Sequence, residues 1–222
     1  MSYDAILFDF DGVLLESEYE GNRHLAEYLT SIGHPTSVAD SMAHFMGLAG
    51  QDFIDAVERH IGQPLPPDFQ ARREAENERV LREGVGGVDG AAAFVRDLPD
   101  ALPRAIASSS STRWIRTHLD HLGIADAFSD HIYSGKEHVR RGKPAPDIYL
   151  HAADALGVDI GRSVILEDSP VGVRGALASG AHVIGVAVGR HCGPEHVQRL
   201  RALGVRDIAT SYADVKRLIG LG

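Results

Sequence analysis

Cysteine is nearly missing from this chain, in which Cys192 is the sole example among 222 residues. A single cysteine excludes an internal disulfide and is typical of proteins that work in a reducing compartment. We expect its thiol to be inert. The N-terminal stretch MSYDAILF carries no basic region, and no apolar run reaches the length of about 18 residues that a membrane span needs. The sequence therefore predicts a cytoplasmic protein with no membrane partner.

Positive charge is also scarce, because 22 Lys and Arg residues face 31 Asp and Glu residues, for a formal net charge of -9. This balance disfavours nucleic acid and anionic membrane surfaces as main partners. It is compatible with a small anionic substrate bound at a locally cationic site. Only three of the basic residues are lysines, at positions 136, 143 and 216. No long exposed apolar stripe is evident, so we expect a monomer.

Short apolar runs separated by helix-length segments dominate the second half of the chain. The runs are almost unbroken, as in strands that are covered on both faces, and lie at 104–107, 131–134, 163–166 and 182–188. Helical spacing is found at 112–122, 146–156, 170–179 and 195–203. A further strand is predicted at Tyr3–Phe8. Strand followed by helix, repeated, predicts an α/β fold with a Rossmann-like, doubly wound parallel sheet.

The segment between the first two predicted strands has a different character. Residues 17–83 contain no strand-like run, and their apolar positions recur at helical spacing. The charged stretch DFQARREAENERVLREG is typical of a solvated helix face. We therefore predict an α/β core made of residues 1–15 and 87–222, with a small α-helical domain inserted at 16–86.

Acidic residues follow two of the predicted strands. Asp9 and Asp11 end the first strand in the sequence DFDG, and Glu167 and Asp168 follow the run at 163–166. Because ligands bind beyond the carboxyl ends of parallel strands, we expect these carboxylates at one mouth. Each like-charged pair about 4 Å apart costs on the order of 4 kcal/mol at an effective dielectric of about 20. An all-oxygen cluster of this kind predicts bound Mg²⁺, the alternative being helix caps and salt-bridge partners.

Residues suited to an anion follow two other strands. The serine run Ser108–Ser111 comes after the strand at 104–107, where hydroxyl and N–H groups at a helix N-terminus can hold an anion. Plain N-capping by one serine is the alternative. Lys143 follows the strand at 131–134 and precedes a proline, which keeps its backbone extended. A cation site and an anion site around two carboxylates suit phosphoryl transfer.

Taken in order, these motifs resemble those of the haloacid dehalogenase superfamily, in particular its phosphatases with a small helical cap. The resemblance covers nearly the whole chain and rests on DFDGV from Asp9, ASS around Ser108, GKPAPD around Lys143 and LEDS around Glu167 and Asp168.

The resemblance implies a Mg²⁺-dependent phosphatase that acts on a small phosphorylated metabolite. Asp9 would attack phosphorus to give an aspartyl-phosphate, and Asp11 would protonate the leaving oxygen and then activate water. Mg²⁺ would be bound by Asp9, the main-chain carbonyl of Asp11 and Asp168, with Glu167 beside them. The phosphoryl oxygens would be held by Ser108, the main-chain N–H of Ser109 and Lys143, with Ser110 as a further substrate-binding residue.

The resemblance extends to β-phosphoglucomutases, which leaves an alternative reaction. Those enzymes carry a histidine shortly after the first motif and an arginine in a G-x-x-R loop, where this chain has Gly21 and Gly50. Phosphomutase activity is therefore the alternative, with a non-catalytic regulatory protein on the same fold as a more distant one. Similarity to the branch with sugar-phosphate and 6-phosphogluconate phosphatases implies a sugar or polyol phosphate as substrate.

Two further interpretations concern individual side chains. Glu18 and Asn22, near the start of the first inserted helix, are expected to contact substrate. His118 and His121 have spacing that suits a metal, but on a helix such a pair is more typical of surface or packing positions.

Overall fold

The computed structural model describes residues 3–48 and 50–221, which divide into two compact units. The residues up to Glu16 and those from Gly86 onward form one unit, which we call the core unit. Ser17–Val85 form the other, the helical unit. Each boundary lies one residue from the boundary that the sequence predicts.

The core unit is built on a parallel sheet that is doubly wound, as predicted. Its strands within the described residues are β1 (Ala5–Phe8), β2 (Arg104–Ser108), β3 (Ile132–Ser134), β4 (Ser163–Glu167), β5 (His182–Val186) and β6 (Asp207–Ala209). The strand order is β3-β2-β1-β4-β5-β6. Phe8 of β1 lies opposite Ile106 of β2 on one side and Leu166 of β4 on the other. The order reverses at β1, and such a switch point is where open α/β sheets bind ligands.

The helical unit has a small apolar core of its own. Its helices are α1 (Ser17–Ser31), α2 (Val38–Phe45), α3 (Gly50–Ile61) and α4 (Phe69–Glu83). The buried cluster comprises Leu29, Phe45, Phe53, Val57, Ile61 and Phe69. Four-residue spacing of Phe53, Val57 and Ile61 places them on one face of α3, which explains why this segment forms a helix.

Helices cover both faces of the sheet in the core unit. They are α5 (Ala91–Arg96), α6 (Thr112–Leu122), α7 (Asp147–Leu156), α8 (Pro170–Ser179), α9 (His196–Ala202) and α10 (Tyr212–Ile219). One core cluster packs α7 and α8 on the sheet, with Leu7 and Ile165 against Tyr149 and Val173. None of the helices in the described part of the chain combines the length and the apolarity needed to cross a membrane.

Local signals fix the ends of the helices that approach the site. The Ser111 and Ser169 hydroxyls accept main-chain N–H groups at the starts of α6 and α8, as N-caps do. Gly123 closes α6 and Gly157 closes α7 at φ 64° and 69°, in the left-handed region that glycine adopts without a Cβ penalty.

The structure adds elements that the apolar pattern does not predict. These are α5, β6 and α10, of which β6 has three residues with Asp207 and Ile208 only half-buried. A strand this short, with one partly exposed face, leaves no apolar run in the sequence.

Candidate active site

The order of the strands brings the predicted site residues to one edge of the sheet. β1 lies between β2 and β4, so the carboxyl ends of these strands are adjacent. Asp9 follows β1, Ser108 ends β2, and Glu167 ends β4. Asp9 and Ser108 are about 100 residues apart in sequence, and Ser108 and Glu167 about 60. Parallel strand pairing brings them together.

Lys143 lies at the centre of this edge. Its Nζ donates to Asp9 Oδ1 and to Glu167 Oε1, each at 2.7 Å, and its side chain is 4% exposed. Burial by itself lowers the pKa of Lys143, but Asp9 and Glu167 outweigh it and raise the pKa well above its usual value. Lys143 is therefore a permanent cation between two carboxylates.

A cluster of carboxylates suited to a metal surrounds that lysine. Asp9, Glu167 and Asp168 are all buried, and each offers a ligand atom within 4.8 Å of the others. Burial raises the pKa of Asp9 well above its usual value, against the opposing effect of Lys143, and Glu167 and Asp168 raise it further. Three buried carboxylates beside one lysine leave an excess of negative charge. The oxygen donor set and this excess fit a hard divalent cation such as Mg²⁺.

Asp11 has a different set of partners from Asp9. Its Oδ2 accepts from the Ser110 hydroxyl at 2.5 Å, and its Oδ1 accepts from the Trp114 indole Nε1 at 3.1 Å. The Ser108 hydroxyl lies 3.5 Å from Oδ2. The two aspartates of the DFDG motif thus occupy distinct environments, the condition under which neighbouring carboxyls take different chemical roles.

The four serines at 108–111 differ in burial and in their contacts. Ser108 is buried, and its Oγ accepts the main-chain N–H of Ser110 at 3.0 Å. Ser111 caps α6. Ser109 is exposed at the mouth. Helix capping therefore applies to Ser111, Ser108 and Ser110 contact Asp11, and anion binding by the serine run stays a prediction.

Two glycines make room for the acidic residues that follow β4. A Cβ on Gly12, which has φ 79°, would lie 2.2 Å from Asp168 Oδ2. A Cβ on Gly172 would lie 1.6 Å from Glu167 Oε1. The same Glu167 oxygen accepts the Tyr149 hydroxyl at 2.9 Å. The backbone is thus shaped so that both carboxylates can reach the edge.

Sequence reasoning missed three side chains of this region. Trp114 contacts Asp11, Tyr149 contacts Glu167, and His191 contacts Asp168 with 2.8 Å between Nε2 and Oδ2. Trp114 and Tyr149 lie on helices, and nothing in their local pattern distinguishes them from core aromatics. A signal for His191 was available, because it follows β5, the neighbour of β4, on the same edge of the sheet.

The second group of potential metal ligands lies beside the first. His191, Cys192 and His196 offer ligand atoms within 4.8 Å of one another. However, His191 Nε2 already contacts Asp168, and burial raises the pKa of the Cys192 thiol to about 12. A neutral thiol is a poor ligand and a poor nucleophile. The raised pKa agrees with an inert thiol, and the partner of His191 is Asp168.

The residues expected to contact substrate from the helical unit have internal contacts. Asn22 is buried, its Nδ2 donates to the Glu18 carbonyl at 2.8 Å, and its Oδ1 accepts the Ser41 hydroxyl at 2.9 Å. These bonds give Asn22 a structural role between α1 and α2. Glu18 is half-buried at the start of α1. Substrate binding by either residue stays a prediction.

The two histidines of α6 occupy a packing position and a surface position, as expected. His118 is fully buried, with its ring 4.2 Å from that of Trp114 in an edge contact, and His121 is exposed. Burial lowers the pKa of His118 to about 4, so its ring is neutral at physiological pH.

Comparison with known proteins agrees with this geometry. The family model described as haloacid dehalogenase-like hydrolase matches residues 3–180. The chain belongs to this family. Several relatives are phosphatases by name, and the chain is accordingly an enzyme of the phosphatase type, which hydrolyses phosphoric monoesters.

Individual relatives are similar over most of the chain. Hexitol phosphatase A of Escherichia coli is 32% identical over 197 residues, which are 84% of this chain and 84% of that protein. SUPPRESSOR OF QUENCHING 1, a chloroplastic protein of Arabidopsis thaliana, is 30% identical over 96% of this chain, which spans only 21% of its length. A crystal structure of a HAD family hydrolase from Deinococcus radiodurans, with bound phosphate and sodium, superposes with a TM-score of 0.88. The two are 32% identical, and the match covers 99% of this chain and 96% of that chain.

Proposed function

We propose that this protein is a Mg²⁺-dependent phosphatase that hydrolyses a sugar or polyol phosphate through an aspartyl-phosphate intermediate. The observation that carries the proposal is the position of Lys143, 2.7 Å from both Asp9 and Glu167 at the edge where the motifs meet. An anionic nucleophile can approach an anionic ester only where fixed positive charge offsets their repulsion. The site supplies that charge at the carboxylate that would attack.

The chemistry divides between the two aspartates. The Asp9 carboxylate attacks phosphorus, the bond from phosphorus to the ester oxygen breaks, and Asp11 gives the departing alcohol its proton. Asp11 then takes a proton from water, which attacks phosphorus and releases inorganic phosphate, so that Asp9 is regenerated. Ser110 and Trp114 hold Asp11 through its two oxygens, at 2.5 and 3.1 Å. The serines at 108 and 109 and Lys143 would bind the phosphoryl oxygens.

The residues that would hold Mg²⁺ are Asp9, Asp168 and the main-chain carbonyl of Asp11, with Glu167 beside them. When bound, Mg²⁺ would neutralise the excess of negative charge and stabilise charge on the phosphoryl group. Lys143 orients Asp9 through a hydrogen bond, the Tyr149 hydroxyl orients Glu167, and the missing side chain at Gly172 leaves room for Glu167.

The substrate class is supported by the similarity to hexitol phosphatase A. Hydrolysis is favoured over the phosphomutase reaction because Gly21 stands where the mutases carry a histidine and Gly50 where they carry the arginine of the G-x-x-R loop. Arg23 and His24, which could replace these side chains, contact other residues of the helical unit. Arg23 pairs with Glu20 and Glu27, and His24 Nδ1 lies 2.7 Å from Glu76. These contacts favour hydrolysis over the phosphomutase alternative. We further propose that the enzyme works in the cytoplasm, in agreement with its single cysteine, and that it is a monomer.

The test is release of inorganic phosphate from a panel of hexitol, sugar and nucleotide monophosphates, with Mg²⁺ and with EDTA. The panel includes β-glucose 1-phosphate, with glucose 6-phosphate measured as a second product. We expect phosphate from sugar or polyol esters only when Mg²⁺ is present. Glucose 6-phosphate without phosphate would establish a mutase, and no product from any ester would overturn the proposal.

The variant Asp9→Asn provides the internal control, since it removes the nucleophile and one metal ligand with little change in volume. We expect its phosphate release to fall by more than roughly a thousand-fold while its circular dichroism spectrum is unchanged. A smaller loss would assign the attack to another group.

A further inference from the structure

A buried imidazole lies directly against one of the carboxylates assigned to the metal. His191 Nε2 is 2.8 Å from Asp168 Oδ2, and the two side chains are 3% and 4% exposed. A carboxylate can only accept, so the ring donates its Nε2 proton. His191 lies in the loop after β5, outside every motif that the family resemblance uses.

The backbone around this pair is built to admit the ring. A Cβ on Gly189 would lie 2.5 Å from His191 Nδ1 and from its Cε1. A Cβ on Gly12 would lie 3.0 Å from the same Cε1, as well as 2.2 Å from Asp168 Oδ2. The imidazole and the carboxylate therefore share a slot between two glycines, and any larger residue at either position would separate them.

A second histidine forms a hydrogen bond with the main chain of the same aspartate. His196 is buried at the start of α9, with its ring 5.6 Å from that of His191 and nearly perpendicular to it. Burial lowers the pKa of His196, and a hydrogen bond to the main chain of Asp168 offsets part of that effect. The loop itself is anchored by the Arg190 N–H, which donates to Glu16 at 3.0 Å. Asp168 is thus held at both its side chain and its backbone.

We infer that His191 is a positioning residue that fixes the Asp168 carboxylate for Mg²⁺, with His196 holding the Asp168 main chain. The inference rests on the proposed function, which places Mg²⁺ on Asp168. Donation to Oδ2 restricts the rotation of the carboxylate, which would then offer its oxygens to Mg²⁺ in one orientation. Hydrogen bonds of this kind orient ligating groups, and their loss typically costs roughly 10- to 100-fold in metal affinity.

The experiment measures Mg²⁺ binding to substrate-free protein by isothermal titration calorimetry. His191→Met removes the donor at similar volume, and His191→Gln keeps an amide N–H near the position of Nε2. The matched control is His182→Met on β5, where Nε2 lies 3.1 Å from Asp207 Oδ2 in the same kind of pair away from the site. Gly189→Ala serves as a second route, because it displaces the ring without changing its chemistry.

We expect His191→Met to raise the Kd for Mg²⁺ roughly 10- to 100-fold, His191→Gln to recover most of that loss, and His182→Met to bind as wild type does. Higher Mg²⁺ should restore the phosphate release that His191→Met loses at low Mg²⁺. If His191→Met fails to fold, a raised Kd in Gly189→Ala supports the inference and an unchanged Kd overturns it.

Failure of the positioning role and failure of the proposed function give different results. If His191→Met binds Mg²⁺ with the same Kd as wild type, the positioning role is overturned and the proposed function stands. A loss in His191→Gln equal to that in His191→Met would assign the effect to packing and also overturn it. Wild type that binds no Mg²⁺ would overturn the proposed metal site, and the inference with it.

Discussion

At the scale of single residues, the site depends on one lysine in a chain that has very few. Lys143 bonds with Asp9 and Glu167, and all three side chains are almost fully buried. Removing one member of a buried ion pair leaves charge without compensation, which typically costs about 3–5 kcal/mol. We therefore expect the same side chain to contribute to folding as well as to the proposed catalysis.

Lys143→Met tests this double role. We expect its free energy of unfolding in EDTA to fall by about 3–5 kcal/mol, with partial recovery in Mg²⁺ because the metal supplies positive charge to the same carboxylates. Urea denaturation under both conditions measures the effect. The control is Lys216→Met, which breaks an exposed pair with Asp97 and should cost less than about 1 kcal/mol. Equal losses in the two variants, or no recovery in Mg²⁺, would contradict the argument.

The convergence of Asp9, Ser108, Lys143, Glu167 and Asp168 could be predicted from sequence because each follows or ends a strand, and parallel pairing brings the strand ends together, whereas the role of each residue is implied only by the family resemblance. The position of His191 after β5 offered a signal for the same edge, but its contact with Asp168 depends on the path of a loop that no periodic pattern describes. The partners of Asp11 also required side-chain coordinates, since an indole on α6 could have pointed into the core.

At the scale of elements, helix α8 accommodates Glu167 by having no side chain at Gly172. Gly172→Ala should raise intrinsic helix propensity by about 1 kcal/mol, yet its Cβ would lie 1.6 Å from Glu167 Oε1. We expect a net loss of stability together with weaker Mg²⁺ binding.

The matched control is Gly21→Ala in α1, where a Cβ meets nothing within 4 Å. This substitution should stabilise the protein by about 0.5–1 kcal/mol. Thermal denaturation of both variants measures the contrast, and stabilisation by Gly172→Ala would show that Glu167 can move aside freely.

Helix α6 carries a neutral buried histidine, and this gives the protein a specific pH dependence. The pKa of His118 is about 4 in the folded protein against a usual value of 6.5, so the unfolded chain takes up the proton first. Stability is therefore unaffected above pH 6.5 and falls between pH 6.5 and 4. At 1.36 kcal/mol per pKa unit, the loss at pH 4 reaches about 3 kcal/mol.

His118→Leu should remove this loss. We expect urea denaturation of wild type and variant to diverge as pH falls from 7 to 4, with the variant losing less stability. His121→Leu, an exposed position on the same helix, provides the comparison. Parallel pH profiles for His118→Leu and wild type would exclude His118 as the cause.

At the scale of the whole molecule, the helical unit is inserted at a point where the core unit closes on itself. The Glu16 N–H donates to the Gly86 carbonyl at 3.0 Å, and Leu15 forms an antiparallel bridge with Gly87. The two connections therefore run side by side, like the strands of a hairpin. A two-residue Asn-Gly loop could join them.

Replacing Ser17–Val85 by Asn-Gly should leave a core that unfolds cooperatively and binds Mg²⁺, because the metal cluster and the sheet belong to the core unit. We expect phosphate release from sugar esters to fall sharply, because the deletion removes Glu18 and Asn22, which are expected to contact substrate. Denaturation, calorimetry and the phosphate assay measure the three properties. Full activity in the shortened protein would remove the helical unit from substrate selection.

The hydrogen bond between Trp114 and Asp11 also allows the site to be followed by fluorescence. The chain has a single tryptophan, and its indole N–H is bonded to Asp11, the group assigned to proton transfer. Indole emission responds to the charge and polarity at its nitrogen. The fluorescence of the unlabelled enzyme is therefore a direct optical record of this carboxyl group, from which its protonation and its displacement during turnover can be followed in real time.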